Sequence, residues 1–387
     1  MSSNPIAFLG AAVHCALGES VAECVAALRQ PPAAPEVLTN TVTGESLEIP
    51  YKLLCNEPLG DPEERLYRIT TRVAEQAMSD AGLDAAERMR TGLFLGSSSF
   101  DICALEGAYR AELAAGEGAI ALRHSSIGHL ANELIARLGL RGPDYSFNTA
   151  CTASANALAA AVTQVAAGRL EHALVLGVEL YNDVSALGFQ GLGLLTGSVM
   201  KPFDSERDGL VLGESVAAVL VGRSAAGSDG HFVLRGSASI SDTHSITASQ
   251  PEGDTIAQVM QKALANAGVA AADIDAIKVH GTASLSNDEA ESAGMHQVFE
   301  ALPPVCALKP YLGHTLGACG LTELVLLYSA LQSGFLVGTP GISASAGELG
   351  VALTQSPTPM SGGTFMLNYF GFGGNNTSLV ISGGAAS

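Results

Sequence analysis

Short apolar or β-branched runs alternate along the chain with Ala-rich stretches of helical length, an alternation that predicts α/β layering. The run Ile6-Ala7-Phe8-Leu9-Gly10 reads as a first strand. Ala77 to Leu83 closes a predicted helix, and the strand Gly92–Gly96 follows it. Ala263 to Val269 closes another, followed by the strand Ala276–Val279. In both, the Gly of an Ala-Gly pair (Gly82, Gly268) reads as the helix C-cap, where a left-handed backbone is needed.

A second correspondence runs in the same order. Tyr145 to Thr149 leads into Cys151 and an Ala-rich helix ending near Gly168; Val305 to Lys309 leads toward His314 and a helix, Cys319 to Ser333, ending near Gly334. Each time a strand feeds a loop that carries a reactive side chain beside a helix start. Two matched units predict a duplicated fold with a site between the halves.

Composition narrows the class. Hydrophobic residues make up 47% and charged residues 15% of the 387, with 44 Gly and no Trp, as expected of a compact chain with a large interior. The net charge of −19 argues against nucleic acid and anionic membrane as partners. The N-terminal apolar run has no Lys or Arg before Arg29, and no stretch approaches the roughly 18 apolar residues of a membrane span. Seven cysteines without CxxC spacing (15, 24, 55, 103, 151, 306, 319) fit reduced thiols in a cytoplasmic protein, with no metal or cofactor indicated.

Three side chains carry candidate chemistry. Cys151 sits at a strand-to-helix junction among small residues, where helix amides and dipole favour a thiolate. His280, in Val279-His280-Gly281-Thr282, lies at a strand end, and His314 lies at a helix start after Lys309. A cysteine with histidines suggests thiol acyl transfer.

Taken together, Thr149 to Ser154, His280-Gly281-Thr282, Lys309 to His314, Lys201 to Glu214 and Asn368 to Asn376 resemble the elongating β-ketoacyl-[acyl carrier protein] synthases, from Phe8 to Ile381. The resemblance implies a thiolase-like five-layered αβαβα fold with two similar halves. Residues 1–225 would carry the nucleophilic Cys and residues 226–387 both His. It implies decarboxylative condensation of malonyl-carrier protein with an acyl thioester held on Cys151, extending a fatty acyl or polyene chain by two carbons. His280 and His314 would bind the malonyl thioester carbonyl, and Lys309 would orient them. The backbone amides of Cys151 and Phe372 would form the oxyanion hole, with Phe372 as gate and Phe370, Gly371 and Gly373 supporting the loop. Asp288 and Glu291 match positions that bind the Lys and shape the site. Asp204, Arg207, Asp208 and Glu214 resemble a structural ion-pair loop.

The implied partners are an acyl carrier protein and a second subunit, in a homodimer or a ketosynthase–chain-length-factor heterodimer. Carriers are acidic, so docking calls for a local basic patch; Arg65, Arg68 and Arg72, at helical spacing, and Lys201 are the candidates. Ala283-Ser284-Leu285 departs from the family's Ser-Thr-Pro, and the stretch between Phe100 and Ile127 lacks its basic and aromatic insertion. Asn375-Asn376-Thr377 resembles the aryl polyene type. A chain-length-factor-like partner subunit is the alternative within the fold, although such subunits usually lack the Cys. A degradative thiolase would need a second Cys in the loop Gly371–Asn375, and an initiating synthase would use Cys-His-Asn.

Overall fold

A computed structural model describes residues 5–42, 44–116, 127–224, 231–339, 341 and 347–384. The expected division at residue 225 and the stretch 117–126 lie outside them. Ten strands form one mixed sheet. They are β1 (Ile6–Cys15), β2 (Gly92–Gly96), β3 (Asp144–Phe147), β4 (His172–Glu179), β5 (Ser215–Arg223), β6 (Val233–Ser241), β7 (Ala276–Lys278), β8 (Val305–Cys306), β9 (Gly362–Gly371) and β10 (Asn375–Gly384). Their order is β8-β7-β9-β10-β6-β1-β5-β4-β2-β3.

Counted outward from the centre, the first five strands run first, fifth, fourth, second, third, and the second five repeat that order. The directions repeat as well. β5 is antiparallel to β1 and β4, with β4, β2 and β3 parallel; β10 is antiparallel to β6 and β9, with β9, β7 and β8 parallel. Within the sheet, among the described residues, the two halves join through the pair Ala7–Val233 of β1 and β6. The four glycines expected at helix ends, Gly82, Gly168, Gly268 and Gly334, all have φ between 69° and 86°.

Five helices place the layers: α1 (Pro62–Asp80), α2 (Ala153–Ala166), α3 (Asp254–Ala267), α4 (Leu285–Val298) and α5 (Cys319–Gln332). Asp61 caps α1 by accepting from the Glu64 N–H at 2.8 Å, and Pro62 starts its first turn. Its apolar stripe, Leu66, Ile69, Val73 and Ala77, covers β1 and β5. Helix α3 covers β6 and β10 on the other half, with α4 beside it. Between the half-sheets lie α2 and α5, packed on each other and on strands of both halves. Their backbones approach closely at Gly320, where a Cβ would stand 2.5 Å from the Ala155 nitrogen. The sheet therefore wraps two central helices, whose N-terminal ends hold the candidate chemistry. No helix of the described residues is long and apolar enough to cross a membrane.

Candidate active site

Cys151 is delivered by a tight turn. After β3 the chain reaches Ala150 at φ +50°, makes one 3₁₀ turn (Ala150–Thr152) and enters α2. In the second half Leu316, at φ +40°, opens the corresponding 3₁₀ turn before α5. A left-handed residue with a side chain costs about 1–3 kcal/mol, so both halves carry strain at the same point beside the site. The Cys319 thiol donates to the Cys151 carbonyl at 3.1 Å, tying the two helix starts together. Cys151 itself is 5% exposed.

His280 follows β7, and its backbone is anchored by Glu291, whose carboxylate accepts the N–H groups of His280 (2.7 Å) and Gly281 (2.9 Å). His314 follows Gly313 (φ +70°) and donates its backbone N–H to Val211 at 2.6 Å. These two loops bring His314 Nε2 to 3.0 Å from Cys151 Sγ and set the imidazole centroids 5.3 Å apart, edge to face at 84°. The Phe370 ring meets His280 edge-on at 5.9 Å.

Lys309 Nζ lies 3.3 Å from His280 Nδ1 and 2.7 Å from Glu323 Oε1. An ammonium only donates, so Nδ1 of His280 accepts and the ring proton sits on Nε2. Glu323 Oε2 takes a second buried ammonium, Lys278, at 2.6 Å.

Burial sets the protonation of the cluster. It pushes the Cys151 thiol up to about 11, against the pull of Lys309 and of the Phe372 and Cys151 N–H groups, which both reach the sulfur. Burial thus opposes the thiolate that the helix start favours. Burial, followed by the Lys309 charge, holds His280 and His314 well below the usual imidazole range, so both are neutral near pH 7. Alkylation of Cys151 by iodoacetamide should therefore climb with pH without levelling before about pH 11. Peptide mass spectrometry across pH 6–11 measures it, and a plateau near neutrality would show a resting thiolate instead.

Phe372 opens a 3₁₀ turn to Gly374 between β9 and β10, its ring stacked on Phe189 at 5.5 Å and 8°. Gly373 donates to the Ile246 carbonyl and Gly374 accepts from the Asp242 N–H, both at 2.7 Å. At Gly374 (φ +74°) a Cβ would overlap the Asp242 oxygen at 1.8 Å, so only glycine fits. A cleft reaches Cys151 and both imidazoles, walled by Phe189, Phe370 and Phe372 and rimmed by Thr282 and Ser284. The sulfur and the two rings offer ligand atoms all within 4.8 Å of one another, a set suited to a soft cation, although the Lys309 ammonium behind His280 opposes one.

Other sequence expectations are redirected. Neither Asp288 nor Glu291 holds Lys309: Asp288 accepts from the Phe203 N–H at 2.8 Å, Glu291 fixes the His280 backbone, and the lysine's carboxylate is Glu323. In the Lys201–Glu214 loop, Arg207 pairs with Glu289 at 3.2 Å and donates to the Asp204 backbone carbonyl at 3.0 Å. Arg65 cannot dock a partner. It is 3% exposed and grips Glu214 with two hydrogen bonds of 2.6 Å, because α1 turns that side of its helix inward. Arg68 and Arg72 are exposed but bound to Glu57, Glu64 and Glu19, and Lys201 is bound to Glu206, so no free basic stripe results. Arg65→Ala should cost about 3–5 kcal/mol of stability by stranding buried Glu214, as urea unfolding would measure.

Glu323 and Lys278 escaped the sequence reading. Each was signalled by its setting: Glu323 is the lone charge in the apolar helix Cys319–Gln332, and Lys278 the lone charge in a strand of apolar residues. A charge inside a buried element needs a partner.

Residues 61–226 match the family model for the Beta-ketoacyl synthase, N-terminal domain, and residues 231–343 that for the Beta-ketoacyl synthase, C-terminal domain. The 3-oxoacyl-[acyl-carrier-protein] synthase 2 of Rhizobium meliloti (strain 1021) is 26% identical, over 86% of this chain and 89% of the relative. The spectinabilin polyketide synthase system protein NorA' of Streptomyces orinoci is 32% identical over 83% of this chain, which spans only 9% of that protein's length. Among solved structures, a chain of the complex of the ketosynthase ApeO with its chain length factor ApeC from Xenorhabdus doucetiae superposes with a TM-score of 0.83 at 24% identity, over 99% of this chain and 98% of the other; this likeness bears on the fold, which is thiolase-like. With both domains of one family matched in order along most of its length, the chain belongs to the β-ketoacyl synthase family of condensing enzymes.

Proposed function

We propose that this chain carries an acyl group on Cys151 and condenses it with a malonyl unit delivered by an acyl carrier protein. The observation that carries the reading is the 3.0 Å approach of His314 Nε2 to Cys151 Sγ, with the neutral His280 ring beside both. In the first half-reaction the Cys151 thiol attacks the acyl thioester while His314 takes its proton and returns it to the departing carrier thiol. The N–H groups of Cys151 and Phe372, which already reach the sulfur, stabilise the oxyanion, each contributing about 3–4 kcal/mol. In the second, Nε2–H of His280 and the His314 ring hydrogen-bond the malonyl thioester carbonyl, and the C–C bond to the carboxylate breaks, releasing CO2. The enolate attacks the acyl-Cys carbonyl; the sulfur leaves as thiolate and takes up one proton from solvent. Lys309 holds His280 in its donating tautomer and adds positive potential. Phe372 swings from Phe189 to admit substrate, with Phe370 packing His280 and Gly371 and Gly373 freeing the loop.

Supporting the pairing with a second subunit, the ApeO ketosynthase is found with its chain length factor; a second copy of this chain is the other option. We place the two halves at residues 1–225 and 226–387, and the product as a fatty acyl or polyene chain longer by two carbons. The test is carboxyl-labelled malonyl-carrier protein with the purified chain. Release of labelled CO2, reduced about 10³-fold in His314→Ala, is expected. A wild-type chain that releases none would instead be a chain-length-factor-like partner subunit.

A further inference from the structure

The residue with the most unusual surroundings outside the Cys-His-His set is Lys278. Its side chain is fully buried, donates to Glu323 Oε2 at 2.6 Å and to the Asn368 carbonyl at 2.8 Å, and lies 3.6 Å from the Tyr369 ring centroid. A buried ammonium is costly and is retained where three such contacts hold it. Its position divides one carboxylate between two cations: Oε2 on Lys278, Oε1 on Lys309. Two buried lysines thus share one carboxylate behind the imidazoles.

That division has a consequence for His280. Were Oε2 free, the carboxylate could turn both oxygens onto Lys309 and draw its ammonium from His280 Nδ1, which it reaches at 3.3 Å. The ring would then be free to carry its proton on either nitrogen. We propose that Lys278, by holding one oxygen of Glu323, fixes Lys309 on His280 Nδ1 and so keeps His280 donating from Nε2 toward the thioester carbonyl. Lys278 is a positioning residue for the condensation, acting through Glu323 and Lys309 and touching no substrate. The inference rests on the reading of the site given above, and its test is separable from it.

The primary measurement is the imidazole nitrogen spectrum of the full-length chain labelled with ¹⁵N-histidine, His280 being assigned by its loss in His280→Gln. At pH 7 the wild type should show an unprotonated Nδ1 and a protonated Nε2; Lys278→Met, which keeps the volume but not the charge, should show a mixture. The second measurement is decarboxylation of malonyl-carrier protein. In Lys278→Ala, kcat should fall about a hundredfold with KM changed less than about threefold, and added methylammonium, filling the vacated site, should recover about tenfold. An unchanged tautomer in a folded Lys278→Met chain overturns the inference, as does wild-type kcat in either variant. A wild-type chain that does not decarboxylate would sink the condensing reading instead, while the nitrogen spectrum still decides the role of Lys278.

Discussion

Cys151→Ala abolishes condensation, lowering product formation by at least about 10⁴-fold, while the chain remains folded. The size follows from the site. Among the described residues no other thiol shares the cleft with both imidazoles: Cys319 is turned to the Cys151 carbonyl, and Cys55, the half-exposed cysteine, lies by His14, whose ring Nε2 donates to the Cys55 backbone carbonyl. Without the sulfur there is nowhere to hold the acyl chain while malonate is decarboxylated, so oxyanion hole and histidines have no electrophile to serve. The fold should survive because alanine keeps the Cβ that packs the turn, and the strain at Ala150 is borne by the backbone. The check is intact-protein mass after mixing with acyl-carrier protein. Wild type should gain one acyl group per chain and lose it on adding malonyl-carrier protein; the variant should gain none. An acylated Cys151→Ala chain would move the nucleophile elsewhere.

The sulfur and both rings drew notice in the sequence because Cys151 and His280 follow strand ends and His314 precedes a helix start, junctions that period and glycine mark. The duplication was legible for the same reason: Gly82 and Gly268 close equivalent helices, and the repeated strand order confirms the correspondence. What escaped was set by burial, which no local pattern reports. Arg65, Arg68 and Arg72 share a helix and a charge, but Arg65 points inward to Glu214 while the others lie on the surface, paired to acids from separate segments. Cys151 has the helix start that favours a thiolate, yet its desolvation decides the sign of the shift. The carboxylate for Lys309 came from Glu323 in α5, not from the acidic stretch nearest His280, because α5 lies between the half-sheets and α4 lies outside one.

Glu323→Ala should have the largest effect on stability of any substitution in the site, about 3–5 kcal/mol. Glu323 is the counter-charge for two ammonium groups whose side chains have no exposed surface. Removing it leaves both buried without an anion, and each must lose its proton or draw water into the space between the half-sheets. Activity should fall with it, since Lys309 loses the contact that holds it near His280. Urea unfolding measures the loss, and the sign of a double substitution shows its cause. In the wild type, Lys278→Met destabilises by leaving Glu323 Oε2 without its cation. In a Glu323→Ala chain the same Lys278→Met removes an unpaired buried charge and should restore stability. If Lys278→Met costs the same in both backgrounds, the two side chains act independently and the shared carboxylate does not organise the site.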